Sequence, residues 1–286
     1  MKVRSGFENL LGKHSDLIAD RRIGLVSNAA ALASDLRPVA QWLQEMPGVE
    51  VAALFGPEHG FDAAVPAGIS VADGGQAALP IYSLYGDTQQ PSDKMLDGLD
   101  CLVFDIQMAG VRFYTYLSTL LHVMQAAAEH DLPLIVCDRP NPIGGKVLEG
   151  PVLDPAFASF VGCGPLPIRH GLTAGEAALY FSDFWAVGCQ LSVIPCLGWQ
   201  RPMWFDETGM IWAPPSPNMP HLSTVMLYSG TCLFEGTNFS EGRGTSLPFE
   251  MIGAPWLDGR ALADQVNALN LPGLKCRPVQ FAPPGQ

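Results

Sequence analysis

Positive charge is scarce in this chain: 16 Lys and Arg stand against 28 Asp and Glu, a formal charge of −12 at pH 7. Such a balance repels phosphate backbones and anionic lipid, which sets nucleic acid and other polyanions aside as partners. No apolar run approaches the roughly 18 residues needed to cross a bilayer, so membrane insertion is not expected. Residues 1–20 are polar and charged, without the apolar core of a signal peptide. The sequence as written is therefore expected to be cytoplasmic; an additional N-terminal extension would be needed for a periplasmic or secreted protein. Seven cysteines, an odd number with no C-x-x-C spacing, read as buried thiols in a reducing compartment. His14, His59, His122, His130, His170 and His221 form no H-E-x-x-H or other paired spacing, so they make poor metal ligands. Phosphate-cradling G-x-x-x-x-G-K-[ST] and G-x-G-x-x-G turns are absent, and so is the G-x-S-x-G nucleophile elbow.

What remains is ample material for a core, since 48% of the residues are hydrophobic. Strand-length apolar runs at 22–27, 49–55, 79–85, 101–106 and 133–137 alternate with helical patterns at 36–46 and 115–130. Strand, helix, strand repetition implies right-handed crossovers and an α/β fold: a Rossmann-like, mainly parallel sheet with helices on both faces. Beyond Asp138-Arg139-Pro140-Asn141-Pro142 the texture turns to Pro and Gly loops. One clear helix interrupts them, announced by the capping-box spacing of Thr173 and Glu176, and a strand follows at 190–195. The Pro-rich stretch 214–220 can be neither helix nor central strand. A boundary is placed just beyond it, giving a first domain over 1–224 and the start of a smaller α+β domain over 225–286.

Most of these strands end in polar groups: Ser27-Asn28, Glu58-His59, Asp105 with Gln107, and Asp138-Arg139. In a parallel sheet those ends share one edge, where ligand crevices of open α/β sheets lie. The most informative segment is Leu54-Phe55-Gly56-Pro57-Glu58-His59-Gly60, where an apolar strand runs straight into a carboxylic acid and an imidazole. An apolar setting can keep a carboxyl protonated, as a general acid requires. The plainer alternative is a carboxylate satisfied by donors in the turn. Glycosidic hydrolysis generally needs a second carboxyl, for which Asp105, Asp138, Glu235 and Glu241 are candidates, although an acetamido sugar can supply its own nucleophile. Arg112, Arg139, Arg169 and Arg243 lie in Gly, Pro and aromatic-rich loops, where a guanidinium can clamp a substrate carboxylate or tie loops through backbone carbonyls. Tyr82, Tyr85, Tyr114, Tyr116, Trp212 and Trp256 can stack on pyranose rings or fill the core.

Taken with Ser83-Leu84-Tyr85-Gly86, Arg112-Phe113-Tyr114-Thr115-Tyr116, Arg169-His170-Gly171, Pro215-Ser216-Pro217-Asn218 and 233–245, which holds Glu235, Asn238, Glu241 and Arg243, these motifs stand in a familiar order. The chain resembles the exo-β-N-acetylmuramidase family of glycoside hydrolases that act in peptidoglycan turnover. The resemblance implies a Rossmann-like first domain, a smaller second domain, a cleft between them as active site, and no metal or cofactor. It implies release of N-acetylmuramic acid from the non-reducing end of β-linked MurNAc-GlcNAc chains, with a small saccharide as the partner. It also puts the family's catalytic glutamate on Glu58; His59, which can orient Glu58, and Asp105, a candidate second carboxyl, complete the catalytic candidates read from the residues themselves. Asn28, Tyr85, Arg112, Tyr114, Tyr116, Asp138, Arg139, Arg169, His170, Asn218, Glu235, Asn238, Glu241 and Arg243 are the matching candidates for holding the sugar. Met108-Ala109 stand where the family usually has Asp-Val, and family members extend further than Gln286. The shortened second domain raises the alternative of a muropeptide-binding protein that keeps the cleft without turnover.

Overall fold

The computed structural model describes residues 2–76 and 79–282 and divides into two compact units, residues 1–222 and 223–286. In the first unit, helix α1 (Gly6–Lys13) precedes strand β1 (Arg21–Ser27), α2 (Val39–Gln44), β2 (Val49–Gly56), β3 (Gly74–Gln76), β4 (Leu79–Ser83) and α3 (Asp93–Leu96). Then come β5 (Cys101–Asp105), α4 (Tyr116–Glu129), β6 (Leu134–Cys137), β7 (Glu149–Val152), β8 (Pro167–Arg169), α5 (Ala174–Trp185) and β9 (Leu191–Ile194).

Among the described residues the sheet has seven strands in the order β3-β4-β2-β1-β5-β6-β9, parallel except for the edge pair β3-β4. Setting β3 aside, this is the 3-2-1-4-5-6 order of the doubly wound fold, whose ligand crevice opens where the winding reverses, between β1 and β5. Every residue of β5 and β6 is buried, as strands covered on both faces must be. On one face Phe7 and Leu10 of α1 and Val39 and Leu43 of α2 pack against Ile23, Leu25, Val103 and Ile135. Each such fully buried side chain stabilises by about 1.5–3 kcal/mol. Helix α5 packs against α4, β6 and β9.

The strand and helix expectations hold in kind, with physical reasons for the differences. The helix read over 36–46 starts only at Val39, because Pro38 disfavours helical geometry at the residue before it and Leu36 has φ of 69°. Helix α1 went unread in a segment taken as merely polar; its Ser5 and Glu8 form a complete capping box. The antiparallel pair β7-β8 lies in the stretch read as loops, where Gly150, Pro151 and Pro167 hide it. The seven cysteines are free, but only Cys101 and Cys137 are fully buried and the other five are partly exposed.

The second unit consists of α6 (Leu222–Thr231), which begins at the boundary, a 3-10 turn at Cys232–Gly236, α7 (Gly259–Ala268) and an isolated bridge between Ser240 and Gly253. Tyr228 meets Phe249 edge-on at 4.6 Å, and the Ser223 and Thr224 hydroxyls both donate to Glu250.

Gly6 shows how tightly α1 is seated. Its N–H donates to the Asp138 carbonyl at 2.7 Å, and a Cβ at this position would lie 2.2 Å from the Asp138 nitrogen and 2.3 Å from the Ile194 oxygen. Both obstacles are backbone, which cannot step aside as a side-chain tip can. Gly6→Ala therefore lowers stability by more than about 2 kcal/mol despite alanine's better helix propensity. Urea unfolding with an unchanged midpoint would refute this packing.

Candidate active site

Strand β2 delivers Glu58 to the carboxyl edge of the sheet, two residues beyond its last residue, Gly56. The chain then doubles back through left-handed residues, His59 at φ 73° and Gly60 at φ 77°, so the acid is fixed at a sharp turn. Glu58 keeps only 7% of its surface exposed. Its Oε1 accepts from the Gly68 N–H at 2.9 Å and its Oε2 from the Thr115 hydroxyl at 2.7 Å. Its main-chain oxygen lies 3.3 Å from the Tyr116 hydroxyl, which donates to the Pro215 carbonyl at 2.6 Å. Asn28, just past β1, donates to both the Tyr116 hydroxyl and the Pro215 carbonyl. The Tyr85 phenol is a further neighbour: burial first, then the charge and hydrogen bond of Glu58, raises its pKa. The Nδ1 of His59 lies 2.7 Å from the Val65 carbonyl; since a carbonyl only accepts, Nδ1 carries the proton.

Thus the structure gathers Asn28, Glu58, Tyr85, Tyr114 and Tyr116 around one turn. Tyr114 and Tyr116, candidates for a stacking floor, are instead buried edge-to-face at 4.6 Å, and burial pushes both phenols well up. Tyr82 packs on Phe55, Trp212 meets Phe205 edge-on, and Trp256 of the second unit stays exposed.

The other candidates of the first unit are spent on the scaffold. Asp105 is fully buried and both its oxygens take hydrogen bonds from Arg139, through Nε to Oδ1 and Nη2 to Oδ2. Arg139 Nη2 also reaches the Leu32 carbonyl. Asp138 accepts from the Thr173 hydroxyl and from the N–H groups of Gly175 and Arg139, so it caps α5. Arg112 ties the Pro151 and Leu166 carbonyls together, and Arg169 bonds Glu149 and the Ile143 carbonyl while lying over Trp204. These contacts match the loop-tying reading, one of the two that the sequence left open for the loop arginines. His170 is buried, its Nδ1 accepting from the Leu172 N–H and its Nε2 without a hydrogen-bond partner among the described residues. Asn218 sits partly exposed after the Pro215-Ser216-Pro217 turn. A cavity of about 30 Å³ at this edge is lined by Gln107, Arg139, Lys2 and Glu8; Glu58 is not in its wall.

In the second unit Arg243 spans Glu235 at 2.8 Å and Glu241 at 3.4 Å over the Phe249 ring. Asn238 lines a separate cavity of about 810 Å³ with Ser240, Arg260 and Phe281. Among the described residues no group of three or more His, Cys, Asp or Glu is arranged to hold a metal ion, and no helix is long and apolar enough to cross a membrane.

Sequence reasoning missed Gly68 and Thr115, which grip the two oxygens of Glu58. A Thr ahead of a helix reads as an ordinary cap, and Gly68 lies ten residues along in an unstructured loop. Nothing in the spacing marks either as a partner of the acid.

Two family models cover nearly the whole chain, the N-terminal part of the exo-beta-N-acetylmuramidase NamZ over residues 23–223 and its C-terminal part over 226–286. The chain belongs to the NamZ exo-β-N-acetylmuramidase family. It is 44% identical over 284 residues to the peptidoglycan beta-N-acetylmuramidase NamZ of Bacillus subtilis strain 168, covering 99% of this chain and 69% of that protein. Two crystal structures of DUF1343 family proteins from Bacteroides fragilis superpose on it. One has a TM-score of 0.89 at 39% identity, covering 99% of this chain and 73% of that one. For the other the values are 0.76, 35%, 89% and 68%.

Two buried groups of this NamZ-family chain set an acid-pH signature. Burial raises Asp138 to a pKa of about 6 against the opposing donors Gly175 and Thr173, and burial lowers His170 to about 4. Between about pH 4 and 6 folded Asp138 holds a proton that the unfolded chain releases, so its contribution to stability grows as pH falls. Between about pH 4 and 6.5 folded His170 refuses a proton that the unfolded chain takes, so its contribution is lost as pH falls. The two slopes, at most about 3 kcal/mol each, oppose one another. Asp138→Asn should therefore lose stability on acidification from pH 6.5 to 4.5 more steeply than wild type, and His170→Gln less steeply. Thermal melts across that range check both, and parallel profiles for all three proteins would refute the assignment.

Proposed function

We propose that this chain is an exo-acting glycosidase that releases N-acetylmuramic acid from the non-reducing end of peptidoglycan-derived MurNAc-GlcNAc chains, with Glu58 as the general acid. The observation that carries the reading is the setting of Glu58. It is an acid held by a hydroxyl and an amide donor at the carboxyl edge of a doubly wound sheet, in a member of the NamZ family. Its carboxyl proton passes to the bridging oxygen as the bond from that oxygen to the anomeric carbon breaks, and the bonding electron pair stays on the leaving oxygen. Water ultimately supplies the oxygen that replaces it on the anomeric carbon.

Gly68 is exposed, in a segment that is largely exposed from residue 62 to 73, whereas Thr115 is buried. The contact a substrate oxygen replaces is therefore the one from Gly68, which frees Oε1. Asp105 and Asp138, the first unit's candidates for a second carboxyl, are committed to Arg139 and to the cap of α5. That commitment favours the sugar's own acetamido oxygen as the first nucleophile, which predicts retention at the anomeric carbon and inhibition by a MurNAc-thiazoline.

The test compares wild type with Glu58→Gln on MurNAc-GlcNAc disaccharide. The amide keeps the shape of the acid but has no carboxyl proton to give, so kcat should fall by about 10²–10⁴-fold with KM little changed. Undiminished release of N-acetylmuramic acid by this variant would eliminate the role.

A further inference from the structure

The start of α4 grips residue 58 by its side chain. Tyr116, the first residue of the helix, has its hydroxyl within reach of the Glu58 carbonyl, and Thr115, immediately before the helix, donates to the Glu58 carboxyl. A Thr in that place normally turns its hydroxyl onto its own helix, bonding an unpaired N–H and contributing about 1 kcal/mol. Thr115 does not do so: its hydroxyl makes no cap, its backbone is already helical at φ −57° and ψ −19°, and its bond goes to Glu58, 57 residues away. By contrast Ser5, Thr173 and Asp258 all cap the helices they precede. The 2.7 Å bond is buried, and the neighbouring Tyr114 and Tyr116 rings pack edge-to-face at 4.6 Å.

We propose that Thr115 is a positioning residue for the hydrolysis, pinning Oε2 of Glu58 so that Oε1 presents its proton to the glycosidic oxygen. This rests on the reading of Glu58 as the general acid. Thr115 itself transfers no proton and does not touch the sugar. Its hydroxyl fixes the plane of the carboxyl when the Gly68 contact is given up, so its loss should slow proton delivery without weakening substrate binding.

The experiment measures kcat and KM for Thr115→Val, Thr115→Ser, Glu58→Gln and the double variant on two substrates: MurNAc-GlcNAc disaccharide, and a nitrophenyl β-MurNAc glycoside whose leaving group needs little protonation. On the disaccharide, Thr115→Val should lose roughly 10- to 100-fold in kcat, the value of one hydrogen bond to a charged group, with KM within about twofold. Thr115→Ser should restore most of the loss. The deficit should shrink on the nitrophenyl glycoside, and the double variant should be no slower than Glu58→Gln alone, since both changes act through one group. Should the valine variant fold poorly by thermal melt, Thr115→Ala replaces it.

Unchanged kcat in Thr115→Val, a serine variant as slow as the valine one, or a deficit equal on both leaving groups overturns the proposal. If Glu58→Gln keeps its activity, the acid assignment falls and this proposal with it. If Glu58→Gln is inactive while Thr115→Val is unimpaired, only the role of Thr115 falls.

Discussion

The paired hydrogen bonds between Arg139 and Asp105 set the geometry of the sheet's working edge. Their side chains are 4% and 0% exposed, so both charges are withdrawn from water and each answers the other. A buried pair of this kind is costly to assemble and costlier to break, about 3–5 kcal/mol when one partner is removed, because the survivor is left charged in a dry place. Here it joins the end of β5 to the end of β6, and through the Leu32 carbonyl it reaches the loop after β1. The adjoining Asp138 extends the tie: its carboxyl caps α5, and its main-chain oxygen receives the N–H of Gly6 at the start of α1. Four elements on both faces of the sheet are thus fastened to two consecutive residues.

That scaffold explains how much was legible beforehand. Buried strands with apolar residues at every position, the long α4 and the capping box at Thr173 all announce themselves locally, since each depends on neighbours within a few residues. The gathering of polar groups at one edge was legible too, because parallel strands must end together. What each polar group does there was not. Asp105, Asp138, Arg112, Arg139 and Arg169 were candidate chemistry by position, yet each is absorbed by a partner 20 to 54 residues away in sequence or by a helix end. Such pairings are set by the register of β1, β5 and β6, which no single segment encodes. The same limit hid Thr115, whose local grammar says cap and whose bond lies elsewhere. Helix α1 is a different case: its capping box was present at Ser5 and Glu8, but a short helix with few apolar residues is overshadowed by its charges.

The contrast between Glu58 and Asp105 bears on which of the two can do proton chemistry. Asp105 is gripped by a guanidinium, a group that only donates; a proton on that carboxyl would face donors and orphan one of them. Among the described residues Glu58 has no ion-pair partner, and two of its neighbours, Thr115 and Tyr85, are hydroxyl groups. A hydroxyl donates to a carboxylate and can accept from a carboxylic acid by rotating its own hydrogen, so Thr115 and Tyr85 stay satisfied in both protonation states of Glu58; the Gly68 N–H, which only donates, is the contact given up. A general acid has to pass through both states in every turnover, and hydroxyl partners suit that requirement where an arginine would oppose it. Arg139, one of the arginines that the sequence offered as ligand clamps, joins the end of β5 to the end of β6 and so fixes the edge at which Glu58 stands.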